Sequence, residues 1–180
     1  MSKVHERLDG RLCAFVEAQQ LYFVATAPSG DGGHVNVSPK GHSDTFAVLD
    51  DHTIAYLDLT GSGAEGIAHV RQNGRVTVMF CAFEGPPNVV RLQGAGRVVL
   101  PGEPEWDQLL SRFQLHPGAR AIIVVALDRI SSSCGFAVPL LDYVGDRTML
   151  DDNFGRRTPE NIEDYHRRKN SVSIDGLPAL

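Results

Sequence analysis

Extended apolar runs, separated by short turns rich in glycine and proline, recur along most of this chain, and a sheet that folds back on itself strand by strand accommodates that order. Residues 21–27 (LYFVATA), 34–38 (HVNVS), 53–59 (TIAYLDL), 75–83 (RVTVMFCAF), 89–100 (VVRLQGAGRVVL) and 121–127 (AIIVVAL) carry the β-branched and aromatic residues of strands. The turn sequence 28–33 (PSGDGG) folds the first run back onto the second, and 84–88 (EGPPN) joins the fourth to the fifth. About six strands in hairpin-like succession, with few helices between them, predict an antiparallel closed or nearly closed barrel and argue against a parallel doubly wound sheet. Gly94 and Gly96 inside the fifth run predict a bulge or bend, the device that curves a sheet towards closure. The sixth run is expected to continue, after a break, through residues 130–136.

Helical spacing is confined to a few places. Leu12, Phe15, Val16 and Gln19 recur at helical intervals after Asp9, a residue suited to a cap. Residues 64–72 (AEGIAHVRQ), 101–113 (with Trp106, Leu109, Leu110 and Phe113 on one side) and 159–169 are the other helix expectations. From residue 139 polar residues and turns dominate. The chain of 180 residues is therefore expected to form one domain, 1–180, with 139–180 as a C-terminal extension.

Charge narrows the function classes. A net charge of −5, with the short basic run 166–169 (HRRK) read as the solvated end of a helix, argues against a general nucleic-acid binder, so no nucleic-acid partner is expected. No apolar run approaches the roughly 20 residues of a membrane span, and the charged start MSKVHERLDG lacks a signal peptide's apolar core, so no membrane partner and a cytoplasmic location are expected. Cys13, Cys81 and Cys134 are too widely separated for a CxxC site and are read as reduced thiols, Cys134 buried or near a groove. The seven histidines show no HxxH or HExxH spacing, so no metal site is expected and most are read as surface or capping residues. The run 131–136 lacks the GxSxG elbow of a nucleophile motif.

Residues 34–63 hold the clearest candidate site. Lys40 stands at the end of a strand, and the run 53–59 leads through Thr60, Gly61, Ser62 and Gly63 into a helix. A strand, a turn of small residues and a helix start can cradle a phosphate, because unpaired N–H groups and the helix dipole both favour an anion. Each feature also has an ordinary reading: Lys40 as an exposed strand-end lysine, 60–63 as a capped loop, Asp58 as a turn cap, Arg91 facing either water or a groove.

The order LYFVATA, glycine-rich turn, HVNVSPKG, TIAYLDL, turn, helix ending in QNGRVTVMF, then VVRLQGAGRVV resembles the pyridoxamine 5'-phosphate oxidase-like family of split-barrel flavoproteins, over roughly residues 15–130. The resemblance implies a mainly β (α+β) fold, an antiparallel six-stranded split β-barrel with flanking helices. It implies a homodimer with FMN in a groove between subunits, and oxidoreductase activity on a small-molecule substrate; deazaflavin or haem are the alternative ligands. The matching cofactor positions are Asn36, Val37, Ser38, Pro39 and Lys40 on one strand and Tyr56, Leu57 and Asp58 on the next. Phosphate contacts would come from Thr60, Ser62, Lys40 and Arg91. The family usually carries a cation at the start of the following helix, whereas residues 62–66 here read SGAEG. A true pyridoxamine phosphate oxidase is not expected, because its C-terminal cations have no clear match among Arg147, Arg156 and Arg157. The alternatives to an oxidoreductase are a non-catalytic flavin, deazaflavin or haem binder (His34 and His69 being the haem candidates) and a dimeric barrel without cofactor. If Lys40 contacts the ligand, alanine there should weaken binding and leave the melting temperature unchanged.

Overall fold

The computed structural model describes residues 2–180. Eight strands and five α-helices follow in the order β1 (Lys3–His5), α1 (Gly10–Glu17), β2 (Tyr22–Thr26), β3 (Asn36–Lys40), a 3-10 turn (Ser43–Thr45), β4 (Phe46–Asp50), β5 (Thr53–Leu59), α2 (Glu65–Asn73), β6 (Arg75–Cys81), β7 (Val89–Val99), α3 (Trp106–Leu110), β8 (Ala119–Ser133), α4 (Met149–Gly155) and α5 (Pro159–Lys169). All pairings are antiparallel, in the order β3-β2-β6-β7-β8-β5-β4, with β1 on the end of β8.

The sheet is rolled. In a flat sheet β2 and β5, four strand spacings apart in that order, would lie about 19 Å from each other. Instead the Tyr22 ring from β2 lies 6.3 Å from Tyr56 of β5 and 5.5 Å from Phe46 of β4, with Phe80 of β6 stacked at 5.5 Å. The inner face thus closes on itself around Tyr22, Ile54, Tyr56, Phe80, Leu92 and Ile123, sealed by the apolar sides of α1 and α2. Odd-numbered positions of β5, Ala55 and Leu57, point to the opposite face and join Ile122, Val124 and Trp106 beneath α3. This is the split barrel, built from eight strands where the sequence predicts about six.

The differences have local causes. β4 (FAVLD) pairs with β5 across a turn at Asp51 and His52, a hairpin absent from the expected list because Asp50, Asp51 and His52 interrupt the apolar pattern. β3 begins at Asn36, two residues later than expected, and includes Pro39, which is tolerated because β3 is an edge strand bonded only to β2. β8 runs unbroken through 128–130, its outer end paired with both β1 and β7. The helix expected over 101–113 is α-helical only at Trp106–Leu110; Gly102, at φ +88°, turns the chain before it. The bulge at Gly94 is present: the β7–β8 register shifts between Gln93 and Gly94, where a Cβ would lie 2.0 Å from the Ala126 carbonyl oxygen. Asp9 caps α1, its carboxylate accepting from the Leu12 N–H at 2.9 Å. Cys134 is exposed, so the buried alternative of its expected placement does not hold, while Cys81 is buried. No helix among the described residues is long and apolar enough to cross a membrane.

Candidate functional site

Alternation along two strands decides which predicted residues meet. On β3, Asn36, Ser38 and Lys40 face inward while Val37 is exposed and Pro39 points outward with it. On β5, Tyr56 and Asp58 share the inner face, and Leu57 lies on the other side of the sheet. Asn36, Ser38, Lys40, Tyr56 and Asp58 therefore line one cavity, of about 40 Å³, together with Glu65 and Arg120. Val37, Pro39 and Leu57 do not line it. Arg91 is remote: on β7, beyond β2 and β6 from β3, it donates to Ser133 Oγ at 3.3 Å on the face opposite buried Val90.

Asp58, 5% exposed, is clasped by two cations. Lys40 Nζ donates to Oδ1 at 2.5 Å and Arg120 Nε to Oδ2 at 2.7 Å. Burial alone would raise the Asp58 carboxyl's pKa, but the charges and hydrogen bonds of Lys40 and Arg120 outweigh it and hold it below the ordinary carboxylate value. Burial and the nearby Asp58 charge push the Tyr56 phenol well above its usual value, keeping it neutral. Lys40 is thus tied into a buried ion network, so its removal must also affect the fold, contrary to the expectation of an unchanged melting temperature.

Arg120 was not found from the sequence, where it stands just before the apolar run of β8. Only 6% exposed, it uses Nε on Asp58 but leaves Nη1 buried without a partner. A buried N–H donor left unpaired is costly, on the order of 1–3 kcal/mol, so a cavity lined by one favours an acceptor atom. At about 40 Å³ this cavity takes a water or a carbonyl oxygen, not a ring. Ring-sized space lies beside it: a groove of about 320 Å³ shares Asn36, Gly63 and Glu65 with it and adds His34, Val35, Ser62 and Ile174.

The expected phosphate cradle is arranged differently. The Thr60 hydroxyl donates to the Gly118 carbonyl and accepts from His166 Nε2, both at 2.8 Å, so it has no donor to spare. At the N-terminus of α2, Glu65 folds back over Gly63 and accepts from the Ile174 N–H at 3.2 Å. Its carboxylate occupies the anion position that the dipole favours. Two other cations lie in an adjoining cavity: Arg147 and Arg157, with His42, line about 410 Å³ of space that includes Thr60, Gly61 and Ser62. Arg157 is held against the Phe154 and Tyr165 rings, 5.0 Å from each centroid.

The proposed haem histidines are not brought to a common groove. His34 is exposed and bonded to Asp175 at 2.7 Å, whereas His69 is fully buried, 3.0 Å from Thr26 Oγ1, and lines none of these cavities. Burial lowers the pKa of His69 and keeps it neutral.

The family model described as pyridoxamine 5'-phosphate oxidase matches residues 8–134. Pyridoxamine 5'-phosphate oxidase family protein ustO of Aspergillus flavus is 40% identical, the match covering 98% of this chain and 77% of that protein. Among solved structures, HupZ of Group A Streptococcus superposes with a TM-score of 0.51 at 21% identity, over 68% of this chain and 90% of that one. A FAD-binding protein of Mycobacterium smegmatis gives a TM-score of 0.50 at 16% identity, over 71% and 95% of the two chains. The two structures share the fold; the match from residue 8 onward and the 40% relative go further, and by them this chain belongs to the pyridoxamine 5'-phosphate oxidase family.

Proposed function

We propose that this protein binds a flavin in the trough between β3, β5 and the 60–65 turn and uses it as an oxidoreductase on a small molecule. The observation that carries the reading is the small cavity lined by both Lys40 and Arg120, together with the Arg120 Nη1 donor that has no partner among the described residues. The pyrimidine edge of a flavin offers the carbonyl oxygens and ring nitrogen that such a donor requires, and two adjacent cations favour the anionic reduced ring. The three cavities of about 40, 320 and 410 Å³ share lining residues, Asn36, Gly63 and Glu65 between the first pair and Ser62 between the second, which suits a ligand with a ring, a chain and a phosphate. Arg147 and Arg157 would meet the phosphate in place of the cation missing before α2.

When bound, the flavin would supply hydride or electron-pair transfer. The chain's own residues have narrower tasks. Lys40 and Arg120 hold Asp58 ionised and present N–H groups to the cavity; Tyr56, neutral and fully buried, packs its floor. The C-terminal tail, anchored by Asp175 on His34 and by Asn170 on the Gly61 carbonyl, places Ile174 over the groove and limits access of water. Exposed apolar residues on the 136–144 segment, among them Phe136 (82%) and Val144 (98%), support a homodimer that covers them. The family resemblance makes FMN the first flavin to test.

Arg120→Met separates this reading from a merely structural ion pair. The variant keeps Asp58 bonded to Lys40 and removes the free donor, so FMN affinity measured by quenching of flavin fluorescence should fall about tenfold or more, the worth of one charge-assisted bond. FMN affinity equal to wild type in a folded Arg120→Met protein would refute the assignment.

A further inference from the structure

Three residues distant in sequence bring a different donor set together. His42, in the loop after β3, His116, before β8, and Asp151, on α4, place one ligand atom each within 4.8 Å of one another. From these contacts we infer a site for a divalent transition metal, zinc being the best match, with His42, His116 and Asp151 as its three protein ligands.

The geometry around His116 points this way. Its ring is 6% exposed and carries a carboxylate on each nitrogen: Asp151 Oδ2 lies 3.0 Å from Nδ1 and Asp44 Oδ1 3.2 Å from Nε2. A tetrahedral ion with bonds near 2.0–2.1 Å sets neighbouring ligand atoms about 3.3 Å apart, close to the Nδ1–Oδ2 separation found here. Asp44 then fills the outer role seen behind metal-bound histidines. It accepts the Nε2 proton, fixes the tautomer and turns the Nδ1 lone pair towards the ion.

His42 completes the set. It is the only non-glycine residue with positive φ among those described, at φ 60°, a strained conformation that needs support from its surroundings. That backbone lays its imidazole edge-on against His116, the ring centroids 5.2 Å apart. Two imidazoles and one carboxylate form the three-ligand set of zinc sites that keep a fourth position open. His42 also lines the 410 Å³ cavity with Arg147 and Arg157, so that cavity is the route by which an ion and a fourth ligand would reach the site. The site joins the barrel to α4, and it does not rest on flavin binding.

The test uses the full chain without a histidine tag, stripped with EDTA, dialysed against buffered Zn²⁺ and analysed for metal. One zinc per chain is expected in wild type and in His52→Ala, a control at an exposed turn. Loss of that zinc is expected in His42→Ala and Asp151→Asn, and affinity about 10–100-fold weaker in Asp44→Asn. Co²⁺ in the unmutated protein should give the intense visible bands of a four-coordinate N/O site, a readout that needs no variant to fold. Absence of stoichiometric zinc, zinc retained by both His42→Ala and Asp151→Asn, or only the weak bands of octahedral Co²⁺ would overturn the inference.

Discussion

Replacing Asp58 by asparagine would leave Lys40 and Arg120 side by side without the carboxylate that both contact, at 2.5 and 2.7 Å. Removing one partner of a buried ion pair costs about 3–5 kcal/mol, because the remaining charge stays desolvated. Lys40 keeps 21% of its side chain in water and can relax towards it, which places the expected loss at the low end, about 3 kcal/mol. Lys40→Ala is milder. Asp58 then keeps its bond from Arg120, and only one charge-assisted hydrogen bond disappears, about 1.5–3 kcal/mol. For a chain of this size, about 3 kcal/mol corresponds to a fall of roughly 6–12 °C in Tm. Urea unfolding of the two single variants, without flavin, measures both losses on one scale. A loss in Asp58→Asn smaller than that in Lys40→Ala would refute the reasoning, since it would mean that the two cations do not depend on the shared carboxylate.

Further predictions concern other parts of the molecule. Gly94→Ala drives a Cβ to 2.0 Å from the Ala126 carbonyl oxygen, a backbone atom that cannot turn away, and should destabilise by about 3 kcal/mol or more in urea unfolding. Leu92→Ala, at a fully buried inner-face position, should cost about 2–5 kcal/mol by the same assay. The Asp58 carboxyl titrates lower in the folded chain than in the unfolded one. Its contribution to stability is therefore complete above the unfolded value, about pH 3.9, and is lost as pH falls through the lower folded value; in Asp58→Asn that part of the acid dependence should vanish from pH-dependent unfolding. Glu65→Gln removes the carboxylate from the start of α2, beside the groove between the small cavity and Arg147 and Arg157, and Glu65→Arg places a cation there, so affinity for the anionic FMN should rise in that order; equal affinities would refute a flavin path along that groove.

The strand order was legible because alternation and turn chemistry are local. The hairpin from 21 to 40, the strand 53–59, the helix after it and the bulge at Gly94 can be read from a few neighbouring residues each. β4 was hidden by the charged residues of its own turn, and β1 by its length of three residues. The candidate site divided along the same line. Asn36, Ser38, Lys40, Tyr56 and Asp58 follow from strand register, and the register also explains why Val37, Pro39, Leu57 and Arg91 face elsewhere. Arg120 could not be read as the second cation on Asp58, because their bond spans 62 residues and depends on how β5 pairs with β8. The same holds for His116 and Asp151, which meet only because α4 returns to the barrel. A signal for Arg120 did exist: a charged residue beside an uninterrupted apolar run must find a partner once the strand is buried.

The most direct test of the central claim is equilibrium dialysis of the purified, flavin-free protein against FMN, followed by its visible spectrum. One FMN retained per chain, with absorption bands shifted from those of the free cofactor, is the predicted result. Protein that retains no FMN, and whose added flavin keeps the spectrum of free solution, would contradict the assignment of the Lys40–Asp58–Arg120 cavity to a flavin.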